Sequence, residues 1–180
     1  MDLGKRLAGL FVDPKREWSL IAGEPADVAW TYRHFIVIVA AVPSAALFLR
    51  FTLGAAPIAG LRTAASSYAA ALVGPLAAAF VIQQLAPRFH SRGPMPQALK
   101  LVAYSAAPIW LAGAFYLVPG LVGTARIVGG LYGIYLFALG LPRILHTPRE
   151  QIVPFMVVCA LALLVINIVL NALFSGSRLF

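Results

Sequence analysis

Five apolar runs, each about as long as a lipid bilayer is thick, occupy most of the chain between His34 and Phe174. A helix needs about 20 apolar residues to cross the roughly 30 Å hydrocarbon core. The runs place spans at about His34 to Leu53, Ala64 to Leu85, Ala98 to Val118, Ile127 to Leu145 and Ile152 to Phe174. Of the 180 residues, 61% are hydrophobic and only 11% charged, and the mean hydropathy is +0.88, which excludes a soluble domain. The fold class this predicts is all-α: a polytopic membrane protein, a bundle of five transmembrane helices with an N-terminal cytoplasmic amphipathic helical segment. In domain terms, residues 1–32 form that segment, 33–175 the membrane domain and 176–180 a short extracytoplasmic tail.

The first 32 residues hold five of the six acidic groups and form the longest stretch that is not membrane-like. Leu3, Leu7, Leu10 and Phe11 recur at helical spacing, with Lys5 and Arg6 directed elsewhere. Asp13 is placed to cap a second helix that Pro14 opens, and Gly23 with Glu24-Pro25 ends it. Trp18 and Ile21 share one face. Two homes suit this pair of short helices: the membrane surface, or packing under the bundle. Leu7 to Val12 is too short for the core of a signal peptide.

Basic residues set the orientation. Ten of the fourteen fall on the side of the N-terminus and of the second and fourth inter-span loops, and four, Arg50, Arg62, Arg126 and Arg178, fall opposite. The positive-inside rule then predicts a cytoplasmic N-terminus and an external C-terminus. The net charge of +8 resides wholly in the spans and loops, because residues 1–33 carry five basic and five acidic groups. Arg88, Arg92, Lys100, Arg143 and Arg149, with His90 and His146, form a cytoplasmic rim. That rim reads as topology signalling with snorkelling side chains, or as a surface for anionic lipid headgroups. Charge spread along membrane edges does not suggest nucleic acid.

Inside the spans, the unusual residues are Gly74-Pro75 in the second and Tyr104 with Pro108 in the third. A proline within a helix removes a backbone hydrogen bond and crowds the preceding turn, so a kink or break is expected at each. In lipid the freed carbonyl requires a partner from a neighbouring helix. One reading is therefore packing, with the Tyr104 hydroxyl satisfying such a carbonyl. The other is a ligand site at broken helices, as transporters use. The spans carry no carboxylate, which favours packing.

Small residues extend that argument. Gly129 and Gly133, with Gly140, line one side of the fourth span and predict close helix contact, within the chain or between two copies as a homo-oligomer seam. Asn167 and Asn171, one turn apart on the fifth, are expected to bond across helices. No catalytic, metal or cofactor residues are assigned. The three histidines lack partners at metal-ligand spacing, and no nucleophile motif or phosphate loop occurs. The single cysteine, Cys159, lies in an apolar run.

The segment Asp13-Pro14-Lys15-Arg16-Glu17-Trp18, followed by five spans with Leu72-Val73-Gly74-Pro75 in the second and Ala103-Tyr104-Ser105-Ala106-Ala107-Pro108 in the third, resembles the Yip domain family. Its multi-pass members are named for interaction with Ypt/Rab GTPases. Eukaryotic members carry Asp-Leu-x-Gly-Pro and Gly-Tyr-x-x-x-Pro; here Ala71 stands for the aspartate and Ala103 for the glycine. The short N-terminus is more like the prokaryotic branch, which implies a bacterial inner membrane and no Rab-directed role. The resemblance implies a non-enzymatic membrane-organising or adaptor protein that binds membrane lipids or unknown membrane or cytoplasmic partner proteins. A passive channel or a lipid or small-molecule transporter, using the second and third spans, is the alternative.

Overall fold

A computed structural model describes residues 2–175, apart from the side chains of residues 119, 163, 166, 167 and 170–175. Among the described residues there are helices and turns but no strand. Two short helices, α1 (Leu3–Val12) and α2 (Pro14–Gly23), precede five long ones: α3 (Val28–Leu53), α4 (Pro57–Leu85), α5 (Met95–Ala112), α6 (Pro119–Ile144) and α7 (Ile152–Ser175). Among the described residues, four helical stretches, Val28–Leu53, Pro57–Phe89, Met95–Leu117 and Gly120–Ile144, are long and apolar enough to cross a membrane. The expected contacts of Asn167 and Asn171 and the expected tail 176–180 lie outside the described residues.

The spans begin earlier than hydropathy alone indicates. Pro57 opens α4 and Pro119 opens α6, each in the first helical position, where the missing N–H costs nothing. The Gly- and Arg-bearing stretches around Arg62 and Arg126, read as loop from their polarity, are therefore helical. Asp27 starts α3 by accepting from the Ala29 amide at 2.9 Å, and the helix widens to a π turn at Tyr32–Ile36.

At the centre stands α5, with 61% of its apolar window buried against 22–33% for the other three spans. It packs on α3, α4 and α6, and α7 packs on α4 and α6. Pro75 and Pro108 lie within helices that continue past them, so of the kink or break expected at each, the break is absent. One apolar core unites the hairpin residues Leu10, Trp18 and Ile21 with Phe35 of α3, Ile82 of α4, Leu101 and Tyr104 of α5, and Leu136 and Leu141 of α6.

Candidate functional site

The first two helices are part of that core. Asp13 closes α1 and caps α2, accepting from the Arg16 amide at 3.1 Å, and the chain reverses there. The Leu10 carbonyl accepts from the Tyr132 hydroxyl at 2.8 Å, and Phe11 stacks on the Tyr132 ring at 5.3 Å between centroids. Tyr132 is halfway along the 25-residue apolar stretch Gly120–Ile144. From there α2 runs back along α6. Trp18 seals against Gly140, where an added Cβ would come within 2.9 Å of the indole, and the end of α2 meets Arg143 and Ile144 around a shared cavity. The hairpin thus stands lengthwise against the half of α6 from Tyr132 to Ile144. Of the two homes open to its apolar face, it takes the bundle.

Charge holds it there. Arg6, expected to point away, is turned inward and only 8% exposed; its guanidinium donates to Glu17 at 2.6 Å and to Glu24. Gly9 makes the approach possible, since any Cβ there would strike the Glu17 carboxylate. The signal was present in the spacing: Arg6 falls between Leu3 and Leu10 at three and four residues, on the apolar face itself. Lys5 is the one that points out, with its side chain 87% exposed. Glu17 lies beside Trp18, and Trp18 meets Tyr104 edge-on at 6.2 Å. The hairpin therefore brings carboxylates close to α5 that no span carries itself.

Lys100 completes the latch. It was read as part of an exposed basic rim, but the structure corrects this. Lys100 is 1% exposed, and its ammonium donates to the carbonyls of Ile21 at 3.0 Å and Glu24 at 2.7 Å, at the C-terminal end of α2. Carbonyls left without helical partners at a C-terminus, with the negative end of the helix dipole, suit a cation. Among the other rim residues, Arg88, Arg92 and Arg149 are exposed, while Arg143 is half-buried and donates to Leu139 of its own helix at 2.9 Å.

The four motif residues serve three different seams instead of one site. The Tyr104 ring is fully buried between Trp18 and Phe35, 4.3 Å from the latter between centroids. One hydroxyl crosses to the helix that carries Pro75: Tyr32 donates to the Leu72 carbonyl at 2.6 Å, one residue from Ala71, whose carbonyl Pro75 deprives of its helical donor. Tyr68 makes the reciprocal bond across the same seam, to the Val37 carbonyl at 3.0 Å. Nothing in the sequence spacing of Tyr32 gives away this role. Gly74 has open space where a Cβ would be. Pro108 presents its carbonyl to Gly129, where a Cβ would come within 2.8 Å, and a Cβ at Gly133 would come within 2.7 Å of the Ser105 carbonyl. Gly129 and Gly133 are thus in close contact with α5 of the same chain.

Three hollows border these elements. A cup of about 600 Å³ opens on the hairpin, lined by Asp2, Lys5, Arg6, Glu17, Glu24 and Asp27 among others. An apolar groove of about 360 Å³ lies between α5, α6 and α7, with Ser105, Gly133 and the buried Cys159 on its walls. A third, of about 440 Å³, lies where α2 ends, α5 begins and α6 ends. Among the described residues, no group of three His, Cys, Asp or Glu is placed to hold a metal ion.

An all-helical chain with several membrane-crossing helices is the class that fold and sequence define. The Yip1 domain matches residues 8–171, and the chain belongs to that family. Two relatives are the inner membrane protein YohC of Escherichia coli strain K12 and its counterpart in strain O6:H1. Each is 28% identical over 159 residues, covering 79% of this chain and 80% of the relative. No solved structure matches.

Proposed function

We propose that this protein is a non-enzymatic adaptor or membrane-organising protein of a bacterial inner membrane, engaging partner proteins and lipids through a fixed surface. In this reading α7 is the fifth span, the N-terminus is cytoplasmic and the C-terminus external, as the excess of basic residues on one side favours. Kinship with proteins named for the inner membrane supports the location.

The observation that carries the reading is the seated hairpin. Its inner face is consumed by the bundle, while Leu20, 52% exposed, lines the charged cup, and Val12, at the turn between α1 and α2, is 83% exposed. Apolar side chains on a rigid mount, edged by charge, suit a docking surface. The transporter reading depended on broken helices at Pro75 and Pro108, and those helices run on unbroken. The test is native-lipid extraction without detergent, comparing wild type with the double variant Val12→Ser, Leu20→Ser by mass spectrometry of bound material. A stoichiometric protein that is retained by wild type and lost from the variant is expected. An identical set of bound proteins in both, or bulk lipid alone in wild type, would contradict the reading.

A further inference from the structure

The cavity of about 440 Å³ at the junction of α2, α5 and α6 is lined by Ile21 to Ala26, Gln97, Lys100, Arg143, Ile144 and His146. We propose that it is a binding site for a phosphate group, with Lys100, Arg143 and His146 as its cationic and donor groups.

The cavity holds unmatched charge. Among the described residues, neither Lys100 nor Arg143 has a carboxylate within ion-pair distance. Lys100 is buried with its ammonium held only by two neutral carbonyls, and Arg143 is half-buried with its one bond going to Leu139 in its own helix. A cation removed from water without a counter-charge is costly, and an anion in the cavity would relieve both at once. The one acidic residue on the wall, Glu24, pairs with Arg6 through Oε1 while its Oε2 is buried without a hydrogen-bond partner, so one carboxylate is shared among three cations, Arg6, Lys100 and Arg143. The cavity and the latch behind it therefore carry a positive excess.

The loop that carries His146 is tied to the loop before α5: the Ser91 and Thr147 hydroxyls are hydrogen-bonded at 2.9 Å, and the Arg92 amide donates to the Leu145 carbonyl at 2.8 Å. Between those ties His146 is held in a left-handed conformation, φ 53°, which a residue with a Cβ rarely adopts, and it is directed to the same cavity. Arg143 retains guanidinium N–H groups beyond the one bonded to Leu139, and a planar fork of donors matches phosphate oxygens. Gln97 adds an amide. Lys100 has three donors and uses two.

The cavity sits where α5 starts and α6 ends, so a phosphate there is at the depth of lipid headgroups. A phospholipid headgroup and free phosphate offer the same chemistry. The inference deepens the lipid-binding half of the proposed function, and its test changes neither Val12 nor Leu20.

Thermophoresis of the full-length protein in neutral detergent separates the sources. The probes are dioctanoyl phosphatidic acid, inorganic phosphate, and dioctanoylglycerol as the phosphate-free control. Binding of phosphatidic acid alone identifies the lipid headgroup. Binding of inorganic phosphate as well identifies phosphate itself as sufficient. In either case Arg143→Gln is expected to weaken binding at least tenfold and His146→Gln by a smaller factor, while Arg149→Gln, on the exposed rim, leaves it unchanged. Arg143→Gln keeps the Lys100 tether to α2, so its thermal midpoint without ligand stays at the wild-type value. The proposal is overturned if no phosphate probe binds, if dioctanoylglycerol binds as tightly as phosphatidic acid, or if Arg143→Gln and Arg149→Gln bind alike.

Discussion

The seam between α3 and α4 and the seam between α5 and α6 join neighbouring membrane helices by different means. The first is bridged by long side chains, with the Tyr32 hydroxyl on Leu72 and the Tyr68 hydroxyl on Val37. The second is closed by absent side chains, with Gly129 against Pro108 and Gly133 against Ser105. Apolar side chains gain little by leaving lipid for one another, so association rests on close packing and on polar bonds across the seam. A hydroxyl bridge tolerates a gap; a glycine contact does not. The motif glycine, Gly74, belongs to the tolerant seam, and the glycines that matter sterically lie outside either motif.

A third junction, between the hairpin and the bundle, uses charge and exceeds both in expected effect. Arg6→Met leaves the Glu17 and Glu24 carboxylates without their partner and should destabilise the protein by about 3–5 kcal/mol, the usual cost of breaking a buried pair from one side. Thermal unfolding in detergent reads it, and a loss below that of any seam variant would break the ordering. Next comes Gly129→Ala. The methyl has no room beside the Pro108 carbonyl, and forcing α5 from α6 should cost about 1–3 kcal/mol. Tyr32→Phe removes one bond across α3 and α4 and should cost about 1 kcal/mol by the same assay, without altering the helix content seen by circular dichroism. Gly74→Ala reverses the sign: with space for the methyl and less backbone freedom to lose, it should stabilise by about 0.5 kcal/mol. Equal and unfavourable effects at Gly74 and Gly129 would erase the distinction between the two seams.

The architecture was legible because twenty apolar residues in a row have few alternatives, and the caps at Asp13 and Pro14 are local chemistry. The Gly129 and Gly133 contacts could be read from the run of small residues on one helical face. Span starts were missed where Pro57 and Pro119 initiate helices through stretches polar enough to pass for loops. The candidate site was harder. Lys100 looks like a rim residue because its sequence neighbours say nothing of α2, whose carbonyls lie 76 and 79 residues away along the chain. Tyr32 bonds a carbonyl 40 residues away along the chain, and only the packing of α3 on α4 brings the two together.

The account stands on the hairpin being part of the bundle. Trp18 reports this most directly, because it is fully buried against Tyr104 and Gly140. In a variant keeping Trp18 alone, with Trp30→Phe and Trp110→Phe, fluorescence in liposomes should resist both aqueous acrylamide and brominated lipid. A reference variant keeping only the half-buried Trp110 should be quenched by the brominated lipid. Strong quenching of Trp18 by brominated lipid would mean that the hairpin lies in the membrane surface with its apolar face in lipid, and would contradict the account.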